Sequence, residues 1–203
     1  MRKKTEPKIL SEEKTDLIRQ AGLRIAEIRN ELYKHTEIDI LSTDNMKSIA
    51  VEDIIKNYDS NFRTNWRRNG VDAISEQDQI EIKNCSMDKP DVPKLSGPNK
   101  GDERTGAWQF HALHNDDHYE RFVGVIWDKK TSKVKRIYDI KNVENMKRIK
   151  GNLDEKTKDF LAQVENKGKD ATRDVITLDE NFVKSFDGIT ENAIDGVIVR
   201  RDW

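Results

Sequence analysis

The chain has 203 residues, of which 37% are charged and 34% hydrophobic, and its formal net charge is -1. The length allows one domain with a hydrophobic core, and the charge balance excludes a global basic signature, so nucleic-acid binding would need a local basic patch. Cys85 is the only cysteine, which excludes an intrachain disulfide and a cysteine zinc site. No apolar run is long enough to span a membrane, and none follows the basic start Met1-Arg2-Lys3-Lys4. We therefore expect a cytoplasmic protein that has no membrane partner.

Two helices are predicted before residue 60. The first runs from Ser11 to about His35, with Ser11 as a plausible N-cap, because apolar residues recur there at three- and four-residue steps. This stripe consists of Ile18, Ala21, Ile25, Ile28 and Leu32. The second helix runs from about Thr43 to Tyr58. Its predicted buried face consists of Val51, Ile54, Ile55 and Tyr58.

A β-hairpin is predicted next, with one strand at Gly70–Ile74 and the other at Gln79–Cys85. Side chains two residues apart project to the same face of a strand. Glu81 and Lys83 should therefore share one face of the second strand. Ile80 and Ile82 should share the other.

The remainder of the chain is predicted to hold a long loop, several strands and one or two helices. The loop, Met87 to Gly106, contains three of the four prolines and is too long for a simple connection. Later strands are expected at Ala107–Leu113, Arg121–Trp127, Val134–Ile140, Val175–Leu178 and Ala193–Val199. A polar helix or helix pair is expected over Val143–Glu165 and a helical turn near Asn181–Phe186. This order predicts a mixed α/β or α+β fold.

Three charged residues of the hairpin suggest a magnesium site. Asp72 and Glu81 would supply the hard oxygen ligands that Mg²⁺ prefers, and Lys83 would face a phosphate or an attacking water. The pattern D-x8-E-x-K is weak by itself in a chain this rich in charge. The alternative is an exposed antiparallel hairpin with an ordinary ion pair, which has little energetic value.

With Asp72 and Glu81-Ile82-Lys83 at this spacing, the chain resembles the PD-(D/E)XK nuclease superfamily, and most of all its type II restriction endonucleases. Val71 stands where the family pattern has proline. The resemblance implies a restriction-endonuclease-like core, a central mixed β-sheet flanked by helices. It also implies Mg²⁺, with Mn²⁺ as a substitute, held by Asp72, Glu81 and the backbone carbonyl of Ile82.

The resemblance suggests two further catalytic residues. Several branches of the superfamily carry an upstream helix glutamate that reaches the metal, which Glu52 would match; the alternative is a solvated helix carboxylate. The strand after Glu-x-Lys often borders the active site, so Gln109 could position water or metal there.

Candidate DNA-binding residues lie around the hairpin. Arginine side chains match phosphate oxygens, and an exposed tryptophan can stack on a base. The alternative places Trp66 in the core and pairs the arginines with acidic neighbours. The candidates are Arg63, Trp66, Arg67, Arg68, Asn84, His111 and His114. The spacing of His111, His114 and His118 matches no known zinc pattern.

The predicted function is Mg²⁺-dependent, direct hydrolysis of double-stranded DNA by a homodimer, leaving a 5′-phosphate and a 3′-hydroxyl. One nuclease domain spans 1–203, with 1–40 as a helical extension for dimerisation, 43–140 as the catalytic core and 141–203 as C-terminal helices and strands. Base recognition is assigned to the Lys89–Arg104 loop and the His114–His118 segment. The alternatives are a junction resolvase, a repair exonuclease or a nuclease toxin with the same core, and a non-catalytic DNA-binding module.

Overall fold

The computed structural model describes residues 11–36, 43–65, 71–87, 106–112, 118–128, 133–167 and 175–203. The chain divides into two compact units, Met1–Ser48 and Ile49–Trp203. The helices in the described residues are α1 (Glu12–Thr36), α2 (Thr43–Ile55), α3 (Val143–Lys167) and α4 (Glu180–Lys184). The strands there are β1 (Arg63–Thr64), β2 (Ala73–Ser75), β3 (Asp78–Met87), β4 (Ala107–His111), β5 (Arg121–Asp128), β6 (Lys133–Ile140), β7 (Val175–Asp179), β8 (Thr190–Ile194) and β9 (Val197–Arg201). None of these helices is apolar over a stretch long enough to cross a bilayer.

The larger unit is built on a seven-stranded mixed sheet with the strand order β1-β2-β3-β5-β6-β9-β8. The pairs β3–β5 and β6–β9 are parallel, and the other neighbours are antiparallel. A separate antiparallel ribbon joins β4 to β7. The predicted mixed α/β fold class, with helices flanking a central mixed sheet, is therefore confirmed.

Each face of the central sheet is covered by a different set of elements. On one face, Ile80 and Ile82 of β3 pack in a core that includes Val51 and Ile55 of α2. The other face packs against the β4–β7 ribbon, α3 and α4. Close packing there requires glycine at position 124, because an added Cβ would lie 2.5 Å from the ring of Trp108 in β4.

The C-terminal hairpin differs from the sequence prediction. A single strand was expected over Ala193–Val199, but Asp195 and Gly196 form a turn between β8 and β9. Their φ angles are 50° and 79°, which suit a two-residue hairpin turn whose twist matches the flanking strands. The prediction of one strand is wrong because Asp195-Gly196 is a hairpin turn signal that divides the segment.

A buried ionic network centred on Arg121 connects the sheet to the segment after α2. The guanidinium donates to both carboxylate oxygens of Asp139, each at 2.7 Å, and also to Asp59. Arg121 is 1% exposed and Asp139 is fully buried. Burial opposes ionisation of Asp59, but hydrogen bonds from Arg121 and Ser75 outweigh this effect and keep the pKa of Asp59 below its ordinary value. Since Ser75 lies in β2, the network also fixes the hairpin.

A second buried network fixes the β4–β7 ribbon. Glu180, 2% exposed, accepts hydrogen bonds from the Gly106 amide at 2.6 Å and the Tyr138 hydroxyl at 2.8 Å. Arg136 of β6 forms an ion pair with the same carboxylate. Because Gly106 directly precedes β4, these contacts hold the start of the ribbon against the sheet.

We expect Arg121→Met to lower the free energy of unfolding by about 3–5 kcal/mol, because Asp139 would remain buried without its cation. The matched control is Lys147→Met, which removes an exposed ion pair with Glu144 and should change stability by no more than about 0.5 kcal/mol. Urea unfolding followed by circular dichroism measures both effects. Similar losses in the two variants would contradict the role assigned to Arg121.

Candidate active site

The β2–β3 hairpin is present, and its two strands differ greatly in length. Ala73 pairs with Ile80 and Ser75 with Asp78, and Glu76 in the turn has φ of 51°. On its other side, β3 pairs with β5 along residues 80–87. Because β3 is an interior strand that is buried at residues 80–82, the exposed hairpin of the alternative is wrong there, although the structure does contain an ion pair between Glu81 and Lys83.

Asp72 lies immediately before β2, and its carboxylate is held against the backbone of β3. Its Oδ2 atom accepts a hydrogen bond of 2.8 Å from the Ile82 amide. The Asp72 amide donates to the Ile80 carbonyl at 3.0 Å, so its backbone is fixed as well. The N–H and C=O of one residue in an extended strand point toward the same neighbour. The Ile82 carbonyl therefore points to the edge of β3 that carries the Asp72 carboxylate.

Glu81 and Lys83 form an ion pair on the face of β3 that lies opposite the α2 core. Glu81 is 6% exposed, whereas the Lys83 side chain is 28% exposed. A buried carboxylate is costly unless a cation compensates it, and Lys83 supplies that cation. The buried Glu81 carboxylate is thus paired with a lysine whose side chain is partly exposed to solvent.

Phe110 is a site residue that the sequence analysis did not identify. The ring centroid of this β4 residue lies 5.3 Å from Lys83 Nζ, within the range of a cation–π contact. Alternation along β4 places Trp108 and Phe110 on one face, and both are buried. What the sequence lacked was the pairing of β4 with β7 that brings this face over Lys83.

Glu52 connects α2 to the strand beside the hairpin. Its Oε2 atom accepts a hydrogen bond of 2.9 Å from the Thr64 amide, and its carboxylate forms an ion pair with Lys56. Thr64 pairs with Ala73, and the next amide, that of Asn65, donates to the Asp72 carbonyl at 2.8 Å. Glu52 therefore lies one strand away from Asp72, already bonded to Thr64 and Lys56.

Other candidates lie away from the Glu81–Lys83 face. Gln109 and His111 occupy the exposed face of β4, opposite Phe110. The Asn84 amide oxygen accepts a hydrogen bond from Trp127 at 2.7 Å, and alternation places Asn84 opposite Lys83. Arg63 donates to the carbonyls of Ser60 and Phe62 at 2.7 and 2.6 Å. Trp66, Arg67, Arg68, His114 and the Lys89–Arg104 loop lie outside the described residues.

The candidate metal ligands around Asp72 and Glu81 are a few oxygen atoms. In the part of the chain that the structure describes, no group of three or more His, Cys, Asp and Glu side chains is arranged to hold a metal ion. A metal centre at Asp72 and Glu81 would therefore also need the Ile82 carbonyl and water as ligands. This composition suits Mg²⁺, which is commonly bound by one or two carboxylates and keeps several waters.

Comparison with protein-family models, curated proteins and solved structures gives no match. Function therefore has to be inferred from the chemistry of the hairpin and its surroundings.

The contribution of Glu52 to the stability of the fold should depend on pH. Burial opposes its ionisation, but hydrogen bonds from Lys56 and Thr64 together outweigh this effect and lower the pKa of Glu52 below 4.5. A carboxylate with a lowered pKa stabilises the fold above its unfolded-state pKa, and this contribution is lost as the pH falls toward the folded-state value. Glu52→Gln should therefore cost about 1 kcal/mol at neutral pH, and its difference from the parent should shrink below about pH 4.5.

Urea unfolding of the parent and Glu52→Gln proteins at a series of pH values measures this difference. Asp53→Asn, an exposed neighbour on α2, is the matched control and should change stability by less than about 0.5 kcal/mol at pH 7. A Glu52→Gln effect that is the same at pH 7 and pH 3.5 would contradict the prediction.

Proposed function

We propose that this protein is a Mg²⁺-dependent nuclease of the PD-(D/E)XK type that hydrolyses double-stranded DNA in the manner of a type II restriction endonuclease. One observation carries the proposal. The Asp72 carboxylate is bonded to the amide of Ile82, between the residues of the buried Glu81–Lys83 ion pair. This contact places the Asp72 carboxylate against the backbone of the strand that carries Glu81 and Lys83, which supports the proposal.

The residues present fit a hard divalent cation. The Asp72 and Glu81 carboxylates and the Ile82 carbonyl would hold Mg²⁺, or Mn²⁺ in its place. When bound, the ion would polarise the scissile phosphate and increase the acidity of a bound water. The Glu81 carboxylate is already buried in the folded protein, so metal binding would remove little further water from it.

Lys83 is the residue assigned to the phosphate and the attacking water. Its side chain shares the Glu81 face and is more exposed than that of Glu81, which would allow the ammonium group to meet a phosphate or water at the surface. Donation to the water oxygen would orient the attack, and donation to a non-bridging phosphate oxygen would offset charge in the transition state. The Phe110 ring would restrict where the ammonium can move.

The sheet topology supports the same proposal. The hairpin that carries the site is followed in the sheet by a parallel strand, β5, whose register with β3 covers Glu81 and Lys83. Rigid strands of this kind hold catalytic groups more precisely than loops. We therefore include a restriction-endonuclease-like core in the proposal. The cytoplasmic location expected from the sequence is also part of the proposal.

DNA contact is assigned to residues near the start of the hairpin. Arg63 is exposed, although its guanidinium is already bonded to backbone carbonyls. Trp66, Arg67 and Arg68 follow it along the chain and remain the main candidates for phosphate contact and base stacking.

The test is digestion of supercoiled plasmid DNA with Mg²⁺ or Mn²⁺. The parent should give discrete fragments, while Lys83→Met and Asp72→Asn should lose at least about hundredfold in rate, because the first removes the cation assigned to the phosphate and the second removes a proposed metal ligand. Lys158→Met, which removes an exposed lysine of α3, is the matched control and should cut like the parent. Circular dichroism of each variant verifies the fold.

Each outcome identifies a function. A smear would indicate a non-specific endonuclease. Linear DNA and RNA incubated in parallel identify the other nucleases: degradation of linear DNA alone would indicate an exonuclease, because a closed circle has no ends, and degradation of RNA alone would indicate a nuclease toxin. Undamaged DNA and RNA with both metals would contradict a nuclease and favour a DNA-binding module. Full activity in folded Lys83→Met protein would contradict the assigned mechanism.

A further inference from the structure

Helix α1 exposes an extended apolar stripe. Six of its large apolar side chains are between 46% and 61% exposed; they are Leu17, Ile18, Leu23, Ile25, Ile28 and Tyr33. Of these, Ile18, Ile25 and Ile28 lie along one face together with the half-buried Leu32. A helix in a protein gains most of its stability from packing an apolar face against another element. A face of this length therefore requires a partner.

The apolar spacing of α1 is that of a coiled coil. Ile18, Ile25 and Leu32 fall at the a positions of successive heptads, and Ala21 and Ile28 fall at the d positions. The alternation of three- and four-residue steps from Ile18 to Leu32 favours a narrow seam against a second helix over burial in a broad core.

We propose that α1 pairs with α1 of a second copy of this chain as an antiparallel two-stranded coiled coil. In the proposed register, Ile25 lies opposite Ile28 of the second copy. Ala21 then lies opposite Leu32, so a small side chain faces a large one. The arrangement has two-fold symmetry, as a homodimer interface requires. It does not depend on the proposed nuclease activity.

Charge complementarity decides the orientation. In antiparallel pairs, g positions face g positions, and Arg24 and Glu31 both occupy g positions. In this register Arg24 of each copy faces Glu31 of the other, so the two-fold symmetry produces this pair twice. In a parallel pair, the g residue Arg24 would instead face the e residue Arg29, which is repulsive. Neither Arg24 nor Glu31 has an ion pair within the described chain.

The remaining flanking positions are compatible with the same register. Arg29 would lie opposite Gly22, where an added Cβ would meet no atom within 4 Å, so there is room for the arginine stem. The helix carries five acidic and five basic residues. Because it has no net charge, two copies do not repel each other overall, which favours self-association over binding to a strongly charged partner.

The test is a charge exchange in the full-length protein, with the dimer dissociation constant measured by analytical ultracentrifugation. Arg24→Glu and Glu31→Arg should each raise Kd about tenfold, because two symmetric pairs change from attraction to repulsion. The combined Arg24→Glu, Glu31→Arg protein should return to within about twofold of the parent, since both pairs are restored in reversed polarity.

The alternatives give different results. In a parallel coiled coil, Arg24→Glu would lower Kd by placing a carboxylate opposite Arg29, and this result would overturn the proposal. A parent that stays monomeric up to roughly 100 μM, or a dimer unaffected by either single change, would overturn it as well. Ile25→Asp should abolish the dimer while circular dichroism shows that the larger unit remains folded.

Discussion

The buried cation Arg121 fixes the arrangement of the larger unit. It stands at the start of β5, pairs across the sheet with Ile80, and binds Asp139 of β6 and Asp59 after α2. Asp59 also accepts a hydrogen bond of 2.9 Å from the Ser75 hydroxyl in β2. One guanidinium thus ties together two central strands, the segment after the second helix and the hairpin. The position of Asp72 follows from these constraints, because Asp72 begins the hairpin that the network holds.

The charged groups of the hairpin differ from this network in one physical respect. Arg121 and Asp139 are buried together and bonded to each other through two hydrogen bonds, which is the pattern of a structural ion pair. At the hairpin, the carboxylate of Glu81 is buried while its cation Lys83 retains access to solvent. A buried carboxylate beside a partly exposed lysine is suited to accept a divalent cation, and the Asp72 carboxylate is fixed against the backbone of the same strand. This asymmetry supports a functional role for the hairpin and a structural role for Arg121.

Much of the fold could be predicted from local patterns. Apolar residues at helical spacing predicted α1 and α2, a polar helical segment predicted α3, and local strand signals predicted β3 to β6, because these signals depend on neighbouring residues only. The opposite faces of Ile82 and Lys83 followed from the two-residue period of a strand. What local patterns lack is long-range pairing. The ribbon of β4 with β7 joins segments separated by more than 60 residues, so neither the contact of Phe110 with Lys83 nor the outward direction of Gln109 could be foreseen. The hydrogen bond that Asp72 makes to Ile82 was also beyond the sequence, because it depends on where β2 ends relative to β3.

The central claim is that Asp72 and Glu81 form a divalent-metal centre. Electron paramagnetic resonance of Mn²⁺ tests it most directly, because the signal of free Mn²⁺ falls as ions bind and no substrate is needed. We expect the parent protein to bind Mn²⁺ at one site per chain in competition with Mg²⁺, and we expect folded Asp72→Asn protein to lose that site. Equal Mn²⁺ binding by the parent and by folded Asp72→Asn protein would contradict the claim.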